Sequence, residues 1–158
     1  MLRREAVMHD FRKILFPVDL SAISPKVVPY VREMAAKFDA EVHLLFVARS
    51  LAYLTGIHVP HPSVNKFEAE IVEGAEKKMQ EFMEEYFEDV PCQTKVVLGD
   101  AAEETLDYVR SEAIDLIVMG THGRKGLEHV IFGSVAERVV KKSPVPVLTV
   151  NPYRKIAE

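Results

Sequence analysis

Leu116-Ile-Val-Met119 runs directly into Gly120-Thr-His-Gly123-Arg-Lys-Gly126-Leu-Glu-His-Val-Ile-Phe-Gly133-Ser134, and the chain continues as Val135-Ala-Glu-Arg-Val-Val-Lys-Lys142. The first segment is a short, unbroken apolar run of the kind that a strand shows when both its faces are covered, as in a parallel sheet. The last segment has helical spacing. Four glycines and a serine separate the strand from the helix. An α/β protein holds phosphate at such a place. The first N–H groups of a helix lack partners within the helix, and its dipole is positive at that end.

The same alternation of strand and helix extends in both directions. Lys13-Ile-Leu-Phe-Pro-Val18 reads as the first strand, ended by Pro17, which has no N–H to give to a ladder. Asp19 then stands at its C-terminal mouth. Ser24-Pro25 reads as the N-cap and first position of a helix whose apolar stripe is Val27, Val28, Val31, Met34, Ala35 and Phe38. Pro29 removes one backbone bond near its start, so a distorted first turn is expected. Glu41-Val-His-Leu-Leu-Phe-Val47 is the second strand, with His43 expected as a packed or hydrogen-bonded residue. Residues 48–63 form a loop, in which His58 and His61 lack a nearby carboxylate or cysteine for a metal site. A long amphipathic helix is expected from Val64 to about Asp89, with Phe67, Ile71, Ala75, Met79, Phe82 and Tyr86 on its core face.

The third strand is Gln93-Thr-Lys-Val-Val-Leu98. Asp100-Ala-Ala-Glu103 resembles a capping box opening a third helix, with Leu106, Val109 and Ala113 facing the core. After Asp115-Leu-Ile-Val-Met119 and the glycine stretch comes the fourth helix, stopped by Ser143-Pro-Val-Pro146. Val145 to Val150 is the fifth strand. Strands and helices that alternate in this way form a parallel sheet with helices on both faces. The expected architecture is α/β: a single doubly wound, Rossmann-like five-stranded parallel sheet, strand order 3-2-1-4-5, with its switch point between strands one and four. Asp19 and Gly120 are then the first residues beyond those two strands, on one crevice. The domain is expected to span 11–152, between an arm at 1–10 and a tail at 153–158.

The chain has 158 residues, 48% hydrophobic and 28% charged, which suits one ordinary globular domain. A net charge of −4 argues against a general nucleic-acid binder. Cys92 is the only cysteine, so no internal disulfide framework exists. No run approaches the ~18 apolar residues of a membrane span, and residues 1–10 hold no apolar core of signal-peptide length. A cytoplasmic protein with no membrane or nucleic-acid partner is expected.

Two common nucleotide signatures are absent. There is no GxxxxGK[ST] loop, and the spacing of Gly120, Gly123 and Gly126 by three is not GxGxxG. What stands in their place is G-x2-G-x9-G-[ST]: Gly120, Gly123, nine residues, then Gly133-Ser134. Gly120 lets backbone approach a ribose at the strand end. Gly123 can adopt positive φ and bare its N–H to phosphate. Gly133 and Ser134 open the helix with N–H donors and a hydroxyl. Arg124, Lys125 and His129 add cationic or donor groups. Each glycine alone could be loop punctuation, and Gly133-Ser134 could simply be a cap.

This pattern, with Ile14-Leu-Phe-Pro-Val-Asp19, Ser21, Leu44-Leu-Phe-Val47, Asp115 to Gly123 and Ser143-Pro-Val-Pro-Val-Leu-Thr-Val150, resembles the universal stress protein family in its ATP-binding branch. The resemblance covers nearly the whole chain. It implies that Asp19 hydrogen-bonds ribose or adenine, that Val47 contacts adenine, and that Met119 and Gly120 line base and ribose. Gly123, Gly133, Ser134 and the Val135 backbone would hold phosphates, with Pro17, His122 and Arg124 completing the binding set. It implies Mg²⁺ bridging the phosphates with few protein ligands, and a homodimer formed through strand 145–150. An apolar sheet edge invites such pairing on physical grounds as well. Phe46 stands where many relatives have histidine.

Three activities are compatible with these residues: a nucleotide-dependent dimeric module in stress response or signalling, a slow ATPase or phosphoryl- or adenylyl-transferring enzyme, and a dimeric module without ligand. The intact glycine pattern disfavours the third. Against the second, Asp19, Glu128 and His122 are the only polar helpers, with no arginine finger or metal cage of the kind that fast phosphoryl transfer uses. Weak ATP hydrolysis is the most that is expected.

Overall fold

The computed structural model of the chain describes residues 10–50, 62–122 and 132–154. Among them, five strands alternate with four helices: β1 Lys13–Pro17, α1 Ser24–Phe38, β2 Glu41–Ala48, α2 Pro62–Phe87, β3 Cys92–Leu98, α3 Ala101–Ser111, β4 Leu116–Gly120, α4 Ser134–Lys142 and β5 Val147–Val150. The strands form one sheet in the order β3-β2-β1-β4-β5, and every pairing is parallel. This is the expected doubly wound order.

Successive strand residues point to opposite faces, and both faces are covered. Ile14, Phe16, Val42, Leu44, Leu116 and Val118 face α1 and α2, where Val27, Val31, Met79 and Phe82 complete the core. Leu15, Leu45, Ile117 and Met119 face the other way, against Ala102 and Val109 of α3 and Ala136 and Val139 of α4. The unbroken apolar runs in the sequence follow from this double burial. No helix among the described residues is long and apolar enough to cross a membrane.

The expected cap of α3 holds, and long-range contacts add to it. Asp100 caps α3, accepting the Glu103 N–H at 3.0 Å. Arg138 of α4 reaches back to the same carboxylate at 2.9 Å, tying α4 to the start of α3. Asp115 accepts the Arg12 and Lys13 N–H groups, both at 2.9 Å, and so aligns the start of β1 with β4. The fifth strand is shorter than 145–150. Pro146 contributes only its carbonyl, which accepts the Ile117 N–H at 3.0 Å, and the ladder proper begins at Val147.

Three expectations are corrected. Ser24 is not the N-cap of α1. Ile23 holds that position in helical backbone with no side-chain cap, and the Ser24 hydroxyl donates to Asp19 Oδ1 at 2.7 Å instead. An N-cap hydroxyl accepts a backbone N–H, but Ser24 is already the first helical residue, and its hydroxyl donates to the carboxylate. The helix then passes through Pro29, its first bonds being the three-residue spans from Ser24 N to Ser21 O and from Lys26 N to Ile23 O. Phe67 is not core: it is 49% exposed. The 26 residues of α2 run about 39 Å at 1.5 Å per residue, whereas the eight residues of β2 run about 26 Å. The first turns of α2 therefore outrun the sheet, and its burial begins at Ala75. Ala113 is exposed with φ +52°, in the left-handed backbone that ends α3, and Ile114 takes the core position.

His43 is packed as expected. Its Nδ1 lies 2.9 Å from the Tyr108 hydroxyl and its Nε2 lies 3.2 Å from Glu41. Burial pushes its pKa below the usual imidazole range, with Glu41 opposing less strongly. The folded chain thus resists protonation at His43 more than the unfolded chain does. Its contribution to stability is complete above about pH 6.5 and is lost as pH falls through the folded-state pKa. Urea denaturation at pH 7.5 and 5.5 is expected to show lower stability at the acid end, and His43→Gln is expected to flatten that slope.

Candidate functional site

β1 pairs with β2 as far as Pro17↔Leu45, and β4 pairs with β5 as far as Gly120↔Val150. Between them, β1 and β4 pair only at Ile14↔Leu116 and Leu15↔Ile117. Past that point the two central strands part at their C-terminal ends. A cavity of about 750 Å³ opens there.

Each expected site residue that the structure describes lines this cavity. Pro17 and Asp19 come from the end of β1, Val47 from β2, and Met119, Gly120 and His122 from β4 and the residues after it. Gly133, Ser134 and Val135 come from the start of α4. Gly123 and Arg124 lie outside the described residues, as do Lys125, Glu128, His129 and the His58/His61 pair.

The β1 end is built around Asp19. Its Oδ1 accepts the Ser21 N–H at 3.0 Å, the Ser21 hydroxyl at 2.7 Å and the Ser24 hydroxyl at 2.7 Å. Leu20 turns the chain with φ +56°, a conformation that costs a branched side chain energy and places Ser21 and Ser24 around the carboxylate.

The β4 end is built on close backbone approach. The Thr121 N–H donates to Val150 O at 2.8 Å, and the Gly133 N–H donates to Thr121 O at 2.7 Å. The chain thus leaves at Thr121 and returns at Gly133 against the same residue. A Cβ on Gly133 would stand 3.2 Å from that Thr121 oxygen, and one on Gly120 would stand 3.1 Å from His122 O. Gly133 caps α4 in extended backbone, with Ser134 as the first helical residue. The free N–H groups and positive dipole end of α4 lie at the cavity wall, an arrangement suited to an anion. His122 is buried, its Nδ1 2.8 Å from Thr121 Oγ1.

Together the wall offers an apolar part (Val47, Met119, Leu45), a carboxylate held by hydroxyls, and a helix N-terminus. Among the described residues, no group of three His, Cys, Asp or Glu side chains gathers into a metal site. A shallower cleft of about 360 Å³ beside α1 and α2 is lined by Arg32 and several acids. Arg32 is already engaged there by both oxygens of Asp89 and by Tyr86 O.

Sequence reasoning missed Ala101 and Thr105 of α3, Ile71 of α2 and Arg49, which also line the main cavity. Arg49 had a signal, since it lies two positions beyond Val47 in the strand period. Thr105 had none: its hydroxyl donates to Ala101 O at 2.7 Å, as in many helices.

Over residues 10–151 the sequence matches the family model described as "Universal stress protein family". The chain belongs to the universal stress protein family. It is 34% identical over 149 residues to universal stress protein MJ0531 of Methanocaldococcus jannaschii, covering 92% of this chain and 85% of that one. It is likewise 34% identical over 155 residues to universal stress protein MJ0577 of the same organism, covering 89% of this chain and 95% of that one. The solved structure of MJ0577 superposes with a TM-score of 0.80 at 29% identity, covering 94% of this chain and all of that one, 100%. A universal stress protein from Archaeoglobus fulgidus, solved in complex with dAMP, shares the fold with a TM-score of 0.56 at 16% identity, over 89% of this chain and 98% of that chain.

The crowding at Gly133 sets an expectation. Gly133→Val should cost about 1–3 kcal/mol of stability, as overpacking against backbone does. Gly74, in the middle of α2, has nothing within 4 Å of a built Cβ. Gly74→Ala should therefore stabilise by about 0.5–1 kcal/mol through helix propensity alone. Denaturant midpoints of the two variants check the contrast.

Proposed function

We propose that this universal stress protein binds an adenine nucleotide, ATP with Mg²⁺, in the cavity between β1 and β4. In this proposal it acts as a nucleotide-dependent dimeric module in stress response or signalling. The observation that carries the proposal is the convergence in one cavity of Asp19, the apolar Val47 and Met119, and the glycine-opened N-terminus of α4. The dAMP complex of the Archaeoglobus fulgidus protein supports the ligand class.

In this proposal Asp19 accepts from ribose or base, with Val47, Met119, Gly120 and Pro17 alongside. Gly133, Ser134 and the Val135 backbone, with His122, Gly123 and Arg124, take the phosphates. The residues fit such a ligand: Gly120 and Gly133 let the backbone of the wall approach itself where a Cβ would crowd a carbonyl oxygen, and the helix end supplies donors without a net protein charge. Mg²⁺ would supply neutralisation of phosphate charge when bound, beside the donors of Gly133, Ser134 and Val135.

The proposed dimer forms through segment 145–150, of which Val147–Val150 is β5. β5 ends the sheet, and Leu148 on it is 38% exposed. A second copy pairing there would cover that edge. A cytoplasmic setting fits a lone thiol, Cys92, whose pKa burial pushes up to about 12. Asp19 is engaged with Ser21 and Ser24, which suits a binding group better than a catalytic base. Hydrolysis, where present, is therefore slow.

Isothermal titration with Mg-ATP tests the proposal directly. Binding is expected, and no heat at millimolar ATP would remove it. Ser134→Ala should weaken ATP severalfold, about 0.5–1.5 kcal/mol for one hydrogen bond, and leave adenosine unaffected. Single-turnover hydrolysis in seconds or less would shift the assignment to an enzyme.

A further inference from the structure

Tyr153 lies beyond the family match, which ends at residue 151, and from the sequence it belongs to a tail. The structure folds it back onto the cavity wall. Asn151 Oδ1 accepts the Tyr153 N–H at 3.0 Å, which turns the chain directly after β5, and Pro152 between them is buried. The Tyr153 ring then meets the His122 imidazole edge to face, with centroids 5.2 Å apart and planes at 72°. Lys26 Nζ of α1 stands 5.7 Å from the centroid of the same tyrosine ring. A cation at that range is attracted to the ring face, and this helps to keep the tyrosine against α1.

His122 is thus held from two directions. Its Nδ1 meets its neighbour Thr121, whose backbone is tied to both Val150 and Gly133. Its ring meets Tyr153. His122 also borders the phosphate end of the proposed site: a Cβ built on Gly133 would lie 3.9 Å from His122 Cα.

We propose that Tyr153 is a positioning residue for the nucleotide site. Its ring, placed by the turn at Asn151 and covered by Lys26, holds the His122 imidazole in the orientation from which it meets the phosphates. The proposal rests on the nucleotide assignment above and deepens it. It gives the segment after β5 a part in ligand binding.

The variants are Tyr153→Leu, which keeps apolar bulk but removes the ring, and Tyr153→Phe, which keeps the ring. In the ligand-free protein, the His122 imidazole proton resonances are expected to carry the ring-current shift of an adjacent aromatic. That shift is expected to vanish in Tyr153→Leu and to persist in Tyr153→Phe. In titrations, Tyr153→Leu is expected to bind Mg-ATP about two- to tenfold more weakly, the range that an edge-to-face ring pair supplies. Adenosine affinity should be unchanged, and Tyr153→Phe should match the parent. Unmoved His122 resonances in Tyr153→Leu overturn the proposal. So does an equal loss for adenosine and ATP, which would mean general loosening, or full ATP affinity in Tyr153→Leu. A parent protein that binds no nucleotide overturns the nucleotide assignment instead, and the resonance measurement still decides whether Tyr153 holds the histidine.

Discussion

β1 and β4 share only two residue pairs before they separate, and the site depends on that separation. Crossovers between parallel strands are right-handed. From β1 the chain moves outward to β2 on one side, and from β4 it moves outward to β5 on the other. The same hand applied in opposite directions puts α1 on one face of the sheet and α4 on the other. No helix can then close over the gap between the two central strands at their C-terminal ends. A crevice is left in the middle of an otherwise covered sheet.

The two walls of that crevice differ in chemistry because the two strands leave it differently. β1 ends at a proline, and the chain turns sharply through Leu20, which draws two serine hydroxyls and one N–H onto a single carboxylate oxygen of Asp19. That wall carries negative charge and accepts hydrogen bonds. β4 ends in a glycine, and the chain returns at Gly133 to hydrogen-bond Thr121 before α4 starts. That wall presents bare N–H groups and the positive end of a helix. An anionic group is favoured at α4 and disfavoured beside Asp19, a polarity that matches the neutral and anionic ends of the proposed nucleotide. Arg138 steadies the arrangement from outside by joining α4 to the Asp100 cap of α3.

Much of this was legible in the residues. Strand runs without polar interruption signalled double burial, and Asp100-Ala-Ala-Glu103 signalled a capped helix. Alternation and handedness pointed to a parallel sheet with helices on both faces. The failures share a cause: each concerned a choice between partners that local sequence presents as equivalent. Ser24 could cap its own helix or bond Asp19, and only the backbone turn at Leu20 brings the carboxylate within 2.7 Å. Phe67 keeps the helical period of its core-facing neighbours, but the sheet ends beneath it. Ala113 continues the stripe of α3 in spacing, yet it sits where the helix has already turned off.

The sequence by itself determined the elements, their order and the identity of the glycines at the strand-to-helix junction, because periodicity and backbone freedom are local properties. Tertiary structure alone decided where the elements stop supporting one another. It set how few residues β1 and β4 share, how far α2 overhangs the sheet, and that Tyr153 packs on His122. These are matters of relative length and of contacts between residues distant in the chain. They are set by packing and hydrogen bonding across the whole sheet, and no short window of residues encodes them.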